Sequence, residues 1–291
     1  MAPAIRRKKR KDEIKVTIAP FRNLADFKTC EDIQREVWHS QDIDVVPAPF
    51  LLAANRTGGI ILGAYSSLGD LVGFVFSILA SEGAKTVQHS YMLAVRAAYR
   101  NFDVGFKLEM ALRKESLKRK ISVIVSSFDP MQPSNAYFAL GKLGAWTEVY
   151  EENFCGETTS LLDRGLPTDR LFTRWELEDS EVARRLEIGP PRRDIRKDLK
   201  QRPVINQLTE VAPGMMTCSP VKLNCTSPQF LFEIPYNLQE IKNRDLGIAL
   251  EWQGKMRQVF RSYFKKDYMA ADFWVIEQDG RLRAFYVLKK K

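Results

Sequence analysis

Residues 87–119 read VQHSYMLAVRAAYRNFDVGFKLEMALRKESLKR. An apolar strand from Val87 to Val95 runs into a basic turn, Arg96 to Gly105, and then into a long amphipathic helix. A strand-turn-helix of this kind aims unsatisfied backbone N–H groups and the positive end of a helix dipole at one point. A phosphate or pyrophosphate fits such a point. Arg96 and Arg100 add positive charge, and Gly105 lets backbone approach a ligand closely. Alternation puts His89 and Tyr91 on one face of the strand. His89 has the intrinsic pKa of a general base, and a satisfied core histidine is the competing reading.

Working outward, Ile14–Pro20 reads as a strand and Ala25–Trp38 as a helix, apolar at Phe27, Ile33 and Val37. A Pro-interrupted loop then opens into a short helix by Asn55. Ile60–Tyr65 and Leu71–Leu79 form a hairpin through Ser67-Leu68-Gly69-Asp70, near-continuously apolar and so buried on both faces. After the long helix come a strand, Ile121–Phe128, ended by Asp129-Pro130, and a helix, Asn135–Leu143, closed by Gly144. Strands follow at Thr147–Phe154 and Leu171–Glu178. The order is that of an α/β protein with a mixed sheet flanked by helices.

Residues 179–202 read as a charged linker with a Gly-Pro-Pro break, and 203–291 as a smaller C-terminal α+β unit. That unit offers strands near Val204–Val211 and Phe230–Ile234, a helix Leu238–Phe264, and a hairpin Phe273–Gln278 with Leu282–Leu288. The helix and hairpin must share a core, because neither buries enough alone. The expected domains are thus a basic tail at 1–13, a ligand-binding domain at 14–178, the linker and the C-terminal unit. The last completes an acceptor pocket, or carries a homodimer contact.

Composition narrows the function. Of 291 residues, 45% are hydrophobic and 11% aromatic, a globular composition. The longest apolar run, Leu71–Ala80, is about half a membrane span, and the N-terminal basic run leads into no apolar signal core. Four cysteines without C-x-x-C spacing and two histidines argue against a metal site or disulfide framework and fit a cytoplasmic setting. The net charge of +9 is carried by residues 1–18, 184–202 and Lys289–Lys291, which leaves the remainder acidic on balance. That distribution argues against a nucleic-acid-binding body. The run Arg6–Lys11 is a solvated tail, with a nuclear address or polyanion contact as alternatives.

The order V-x-x-x-Y-R-N-F-D-V-G-F-x-L before a basic helix resembles the acyl-CoA pyrophosphate arm of the GCN5-related N-acetyltransferases (GNAT). Arg100 aligns with the first position of the (Arg/Gln)-x-x-Gly-x-(Gly/Ala) motif and Gly105 with the last, while Asp103 stands for the middle glycine. An N-cap role for Asp103 is the mild reading of that change. Residues 34–59, 62–78, 127–145 and 153–177 resemble, in order and spacing, a poorly characterised predicted-acetyltransferase subgroup, so the resemblance spans about 16–178. It implies a GNAT-like sheet and transfer of an acetyl group from acetyl-CoA, or another acyl-CoA, to a small-molecule amine or amino-acid-like acceptor.

Carried over residue by residue, it implies that Met92, Leu93, Ala94 and Val95 line the pantetheine. Arg96, Arg100, Asn101, Phe102, Asp103, Val104, Gly105 and Phe106 would cover the pyrophosphate, with Asn135 as a further cofactor contact. His89 or Asp129 would be the base. The family's general-acid tyrosine falls on Leu140 here, with Tyr137 one turn earlier as the substitute. Trp38, Asp42 and Asp44 would border the acceptor, and acidic groups there suit a cationic one. A non-catalytic acyl-CoA-binding or assembly module is the alternative.

Overall fold

The computed structural model describes residues 15–163, 165–190, 195–278 and 280–291. The expected basic tail, at 1–13, lies outside the described residues. The chain forms two compact units. One comprises the described residues up to Val125 together with 158–163, and the other Ser126–Glu157 with Gly165–Lys291. The division falls inside a strand, not at the charged stretch 179–202.

The first unit contains β1 (Val16–Pro20), α1 (Leu24–Trp38), α2 (Ala48–Arg56), β2 (Ile60–Ser66), β3 (Leu71–Glu82), β4 (Lys85–Val95), α3 (Val104–Lys118) and the start of β5 (Val123–Phe128). Its strands lie in the order β1-β2-β3-β4-β5, and the pairs β1–β2, β2–β3 and β3–β4 are antiparallel. Asn23 starts α1 by accepting from the Ala25 and Asp26 amides, as an Asx cap does. The helix buries Phe27, Cys30, Ile33 and Gln34. This stripe packs with Ala48 and Leu51 of α2 on Ile61, Tyr65, Phe74, Phe76 and Ala94 of the sheet. Through its other face α3 buries Val104, Leu108, Glu109, Leu112 and Ser116. Glu115 on the same helix pairs with Lys118.

The second unit continues with α4 (Pro133–Ala136), which runs into a π-helix at Tyr137–Lys142, then β6 (Trp146–Glu151), β7 (Arg170–Glu176), α5 (Ser180–Ile188) and α6 (Ile195–Gln201). Beyond these come β8 (Leu208–Ala212), β9 (Met215–Cys218), β10 (Gln229–Pro235), α7 (Leu238–Arg244), α8 (Leu246–Phe264), β11 (Tyr268–Gln278) and β12 (Arg281–Lys290). Strand order is β5-β7-β6-β11-β12-β10, with β8–β9 a separate hairpin. Each unit is thus mixed α/β with a mostly antiparallel sheet flanked by helices, and extra strands follow at the C-terminus.

Three expectations are corrected here. The stretch 179–202 holds two helices where a linker was expected; the Asp179 carboxylate caps α5 by accepting from the Val182 amide at 3.0 Å. The single helix 238–264 is two, because Asp245 adopts an extended backbone and its carboxylate accepts from the Ile248 amide to begin α8. The helix at 135–143 is a four-residue α-turn followed by a π-helix.

The C-terminal strands and helices share one core with the segment after β5. Trp252, Met256, Val259, Phe260 and Tyr263 of α8 pack with Phe230, Phe232, Phe273 and Tyr286, and the same cluster takes in Phe128, Met131, Ala136 and Leu140. The Tyr286 hydroxyl donates to the Pro130 carbonyl at 2.9 Å, fixing the loop after β5. Asp169 anchors the β6–β7 connection. Its buried carboxylate accepts from Arg257 Nε at 2.7 Å and Nη2 at 2.8 Å, from the Tyr150 hydroxyl at 2.5 Å and from the Asn153 amide at 3.0 Å.

Candidate functional site

In the first unit, β4 pairs with β3 in register from Gly73↔Val95 to Phe76↔Met92, and then resumes at Ser77↔Ser90. Tyr91 is therefore the extra residue of a β-bulge, a device that re-aims a side chain and interrupts the ladder. After Val95 the chain makes a short 3₁₀ turn, Ala97–Tyr99, and passes through two left-handed residues, Asn101 (φ 66°) and Asp103 (φ 60°). Asn and Asp are among the few non-glycine residues that adopt this conformation readily. That explains how Asp103 serves where the resembling motif has glycine. It does not act as the expected side-chain cap: Asp103 holds the N-cap position of α3 without a cap hydrogen bond.

Gly105 lies in the first turn of α3. A Cβ built there would meet Leu93 Cδ2 at 3.7 Å and Val95 Cγ2 at 3.9 Å, which is ordinary contact. The packing of the unit thus does not require glycine, although glycine weakens a helix by roughly 1 kcal/mol against alanine. Of the two arginines, Arg96 pairs through Nη1 with Glu36 of α1 at 2.6 Å. Arg100 Nε donates to the Val95 carbonyl at 3.0 Å, folding back over the end of β4.

The face of this sheet under α1 and α2 is aromatic. Trp38 meets Phe74 edge-on at 6.4 Å between centroids, and Phe50 meets Phe76 at 6.5 Å. Phe76 in turn meets Tyr91 at 6.1 Å, and Tyr91 meets His89 at 5.9 Å. His89 and Tyr91 are therefore together, as the alternation implied. Burial lowers the His89 pKa below its ordinary value, which keeps the imidazole neutral near pH 7, the form a base requires.

The acidic residues of the loop expected to border an acceptor are engaged within the chain. Asp42 accepts from Arg35 Nε at 2.8 Å. Asp44 accepts from the Thr159 amide at 2.6 Å and its hydroxyl at 2.5 Å, and these bonds hold its pKa below the usual range. The Ser160 hydroxyl donates to the Trp38 carbonyl at 2.9 Å.

On the opposite face of β4 lies a polar seam that the sequence reading missed. Gln88 Nε2 donates to Ser77 Oγ at 2.8 Å, and Ser77 Oγ to the Ile60 carbonyl at 3.2 Å. Ser90 Oγ donates to Glu109 Oε1 at 3.0 Å. Burial in α3 raises the Glu109 carboxyl to about 7. Its position beside Leu108 and one turn before Leu112 was the available signal.

In the second unit, Asp129 Oδ1 accepts from the Met131 amide at 2.8 Å, turning the chain before α4. Asn135 is exposed inside the short α4, whose N-cap is Gln132. Leu140, where the resembled family carries its tyrosine, is fully buried. Tyr137 opens the π-helix with a partly exposed ring, near Tyr236, whose pKa is raised first by burial and then by Tyr137.

Main-chain bonds in the π-helix region run from the Leu143 amide to Phe138 O and from the Ala145 amide to Ala139 O, both at 3.0 Å. Arg185 of α5 supplies Leu140 O and Gly141 O, donating from Nη1 at 2.8 and 3.0 Å, and it pairs with Asp272 at 3.1 Å. Gly141 is obligatory there, since a Cβ would lie 2.7 Å from Phe273 O. Among the described residues no cluster of His, Cys, Asp or Glu could hold a metal ion, and no helix is long and apolar enough to cross a membrane.

No family model and no curated protein matches this chain. Among solved structures, it is similar to an aminoglycoside 6'-acetyltransferase type Ii at 20% identity, covering 56% of this chain and 98% of that one, with a TM-score of 0.44. Arabidopsis thaliana Naa50, solved with the bisubstrate analogue CoA-Ac-MVNAL, is 16% identical over 55% of this chain and 97% of that one, TM-score 0.44. The ribosomal-protein-S18-alanine N-acetyltransferase from Escherichia coli is 12% identical over 57% of this chain and 96% of that one, TM-score 0.44.

Proposed function

We propose that this chain is an acyl-CoA-dependent N-acyltransferase, moving an acetyl or related group to the amine of a small or amino-acid-like acceptor. One observation carries the reading: a bulged strand runs through two left-handed residues into a helix with no side-chain cap at Asp103 and a glycine in its first turn. Such a helix start binds anions through its N–H groups and dipole. A glycine that packing does not demand, at that spot, leaves room for a pyrophosphate. The sequence resemblance implies the same role for these residues.

Acyl-CoA supplies an acyl group activated as a thioester. Met92–Val95 would hold the pantetheine along the strand after the bulge, and Arg96–Phe106 the pyrophosphate. His89, neutral and half-buried, is suited to take the proton from the acceptor ammonium. The resemblance also implies roles for Asp129 as a base, Asn135 as a cofactor contact and Tyr137 as an acid; all three belong to the second unit.

Acetyl-CoA should raise the melting temperature of the full chain, and Gly105→Glu should abolish the shift, because a side-chain carboxylate would repel the pyrophosphate. The absence of a shift with every acyl-CoA, using folded protein, would overturn the reading. The buried Leu140 favours a second reading, a module that binds acyl-CoA without turnover. Thiol release across a panel of amines separates the two.

A further inference from the structure

The rings on the α1–α2 face of the first unit are unequally covered. Phe74 and Phe76 are fully buried, yet Phe50 is 54% exposed and Tyr91 53% exposed. Both exposed rings touch the same buried one, Phe76, edge-on. Phe50 stands on α2 and Tyr91 on β4, so two separate elements bring large apolar surface to one place. Exposed apolar side chains gathered around one buried ring mark a binding site more often than scattered single residues do.

Two further observations say what binds. First, Tyr91 is the bulge residue, and Met92 beside it begins the stretch assigned to the pantetheine, at the end away from the pyrophosphate residues, where the thioester would fall. A molecule seated on Tyr91 is therefore next to the acyl group, which is where an acceptor must be. Secondly, the charges on the neighbouring rim are satisfied from within. Glu36 is paired with Arg96, Asp42 with Arg35, and Asp44 with Thr159. These carboxylates already carry partners from the chain itself, and an apolar group gains by covering the two rings.

We propose that Phe50 and Tyr91, joined through Phe76 and flanked by His89, select the acceptor, and that it is an amine bearing an apolar or aromatic group. This rests on the acyltransferase reading and replaces the cationic acceptor suggested by Asp42 and Asp44. The aromatic surface holds the apolar group, and His89, edge-on to Tyr91, stands at the side where the amine is deprotonated.

The test uses the full chain with CoA present and saturation-transfer NMR on 2-phenylethylamine, with 1,4-diaminobutane as the cationic control. Transfer to the phenyl ring is expected with the wild type, and binding about tenfold weaker in both Phe50→Ala and Tyr91→Ala, the size of a lost aromatic contact. The melting shift caused by CoA should be unchanged in both variants, which also reports that they fold. Equal binding by wild type and variants, or preference for diaminobutane, would overturn the proposal. So would a wild-type dimer in sedimentation that Phe50→Ala converts to monomer, since the patch would then belong to a second copy. If CoA gives no shift while phenylethylamine binding still depends on both rings, the acyltransferase reading fails and the aromatic site stands.

Discussion

The start of α3 and the end of the π-helix are both helix termini, and the chain treats them in opposite ways. At the π-helix, Leu140 O and Gly141 O receive a guanidinium from Arg185, which is itself held by Asp272. At α3, the side chain of the N-cap residue Asp103 makes no cap hydrogen bond, and packing does not demand the glycine at 105. A terminus sealed by the protein's own side chains is structure. One left for an outside anion, at a cost in helix stability, is a candidate for function.

Breaking the sealed end should have the largest effect. Arg185→Met removes the guanidinium from buried Asp272 and from the Leu140 and Gly141 carbonyls. Removing one partner of a buried pair costs about 3–5 kcal/mol, so urea unfolding should show a loss of that order. The double variant with Asp272→Asn should lose less than the two single changes added together. Simple additivity would mean that the clamp is not a unit.

The seam behind the cradle comes next. Glu109 has a folded-state pKa raised from 4.5 to about 7, so the folded protein binds the extra proton between those values. Its contribution to stability is present below about 4.5 and is lost as pH rises through about 7, by on the order of 3 kcal/mol. Glu109→Gln, which retains an acceptor for Ser90, should flatten that slope and be the more stable protein at pH 8. An unchanged pH profile of unfolding would remove Glu109 as its cause.

Smaller effects sharpen the contrast at the open end. Gly105→Ala should stabilise the free protein by up to about 1 kcal/mol while weakening acetyl-CoA, a pairing of signs that a structural glycine would not give. Asp103→Asn keeps a residue tolerant of the left-handed region and removes a negative charge. It should tighten CoA binding by a few-fold, on the order of 0.5 kcal/mol, with a dependence on salt.

The first unit was legible in the sequence because its signals are local. Asn23, the apolar stripe of α1, the Ser67–Asp70 turn and the strand running into Arg96 each announce themselves within a few residues. The second unit was less so, because its decisive contacts are distant in sequence. Arg185 reaches Leu140, and Gly141 is forced by Phe273, across intervals that no window of periodicity covers. For the same reason the charged stretch around Arg185 read as a linker.

In the candidate site, the strand-turn-helix at 87–119 and the shared face of His89 and Tyr91 could be read in advance. The roles of Asp42 and Asp44 could not, because a carboxylate's partner, here Arg35 or Thr159, decides whether it is available to a ligand. Tyr91 was visible only as an alternating residue. The bulge that sets it beside Met92 needed the register of β3 against β4.

The central claim, that the start of α3 with the strand before it is built for acyl-CoA, is tested most directly by amide hydrogen exchange with and without acetyl-CoA. The account predicts slower exchange across residues 92–106, through the strand after the bulge, the turn and the first turn of α3, and loss of that protection in Gly105→Glu. Protection confined to other segments, or none in folded protein at saturating acetyl-CoA, would contradict it.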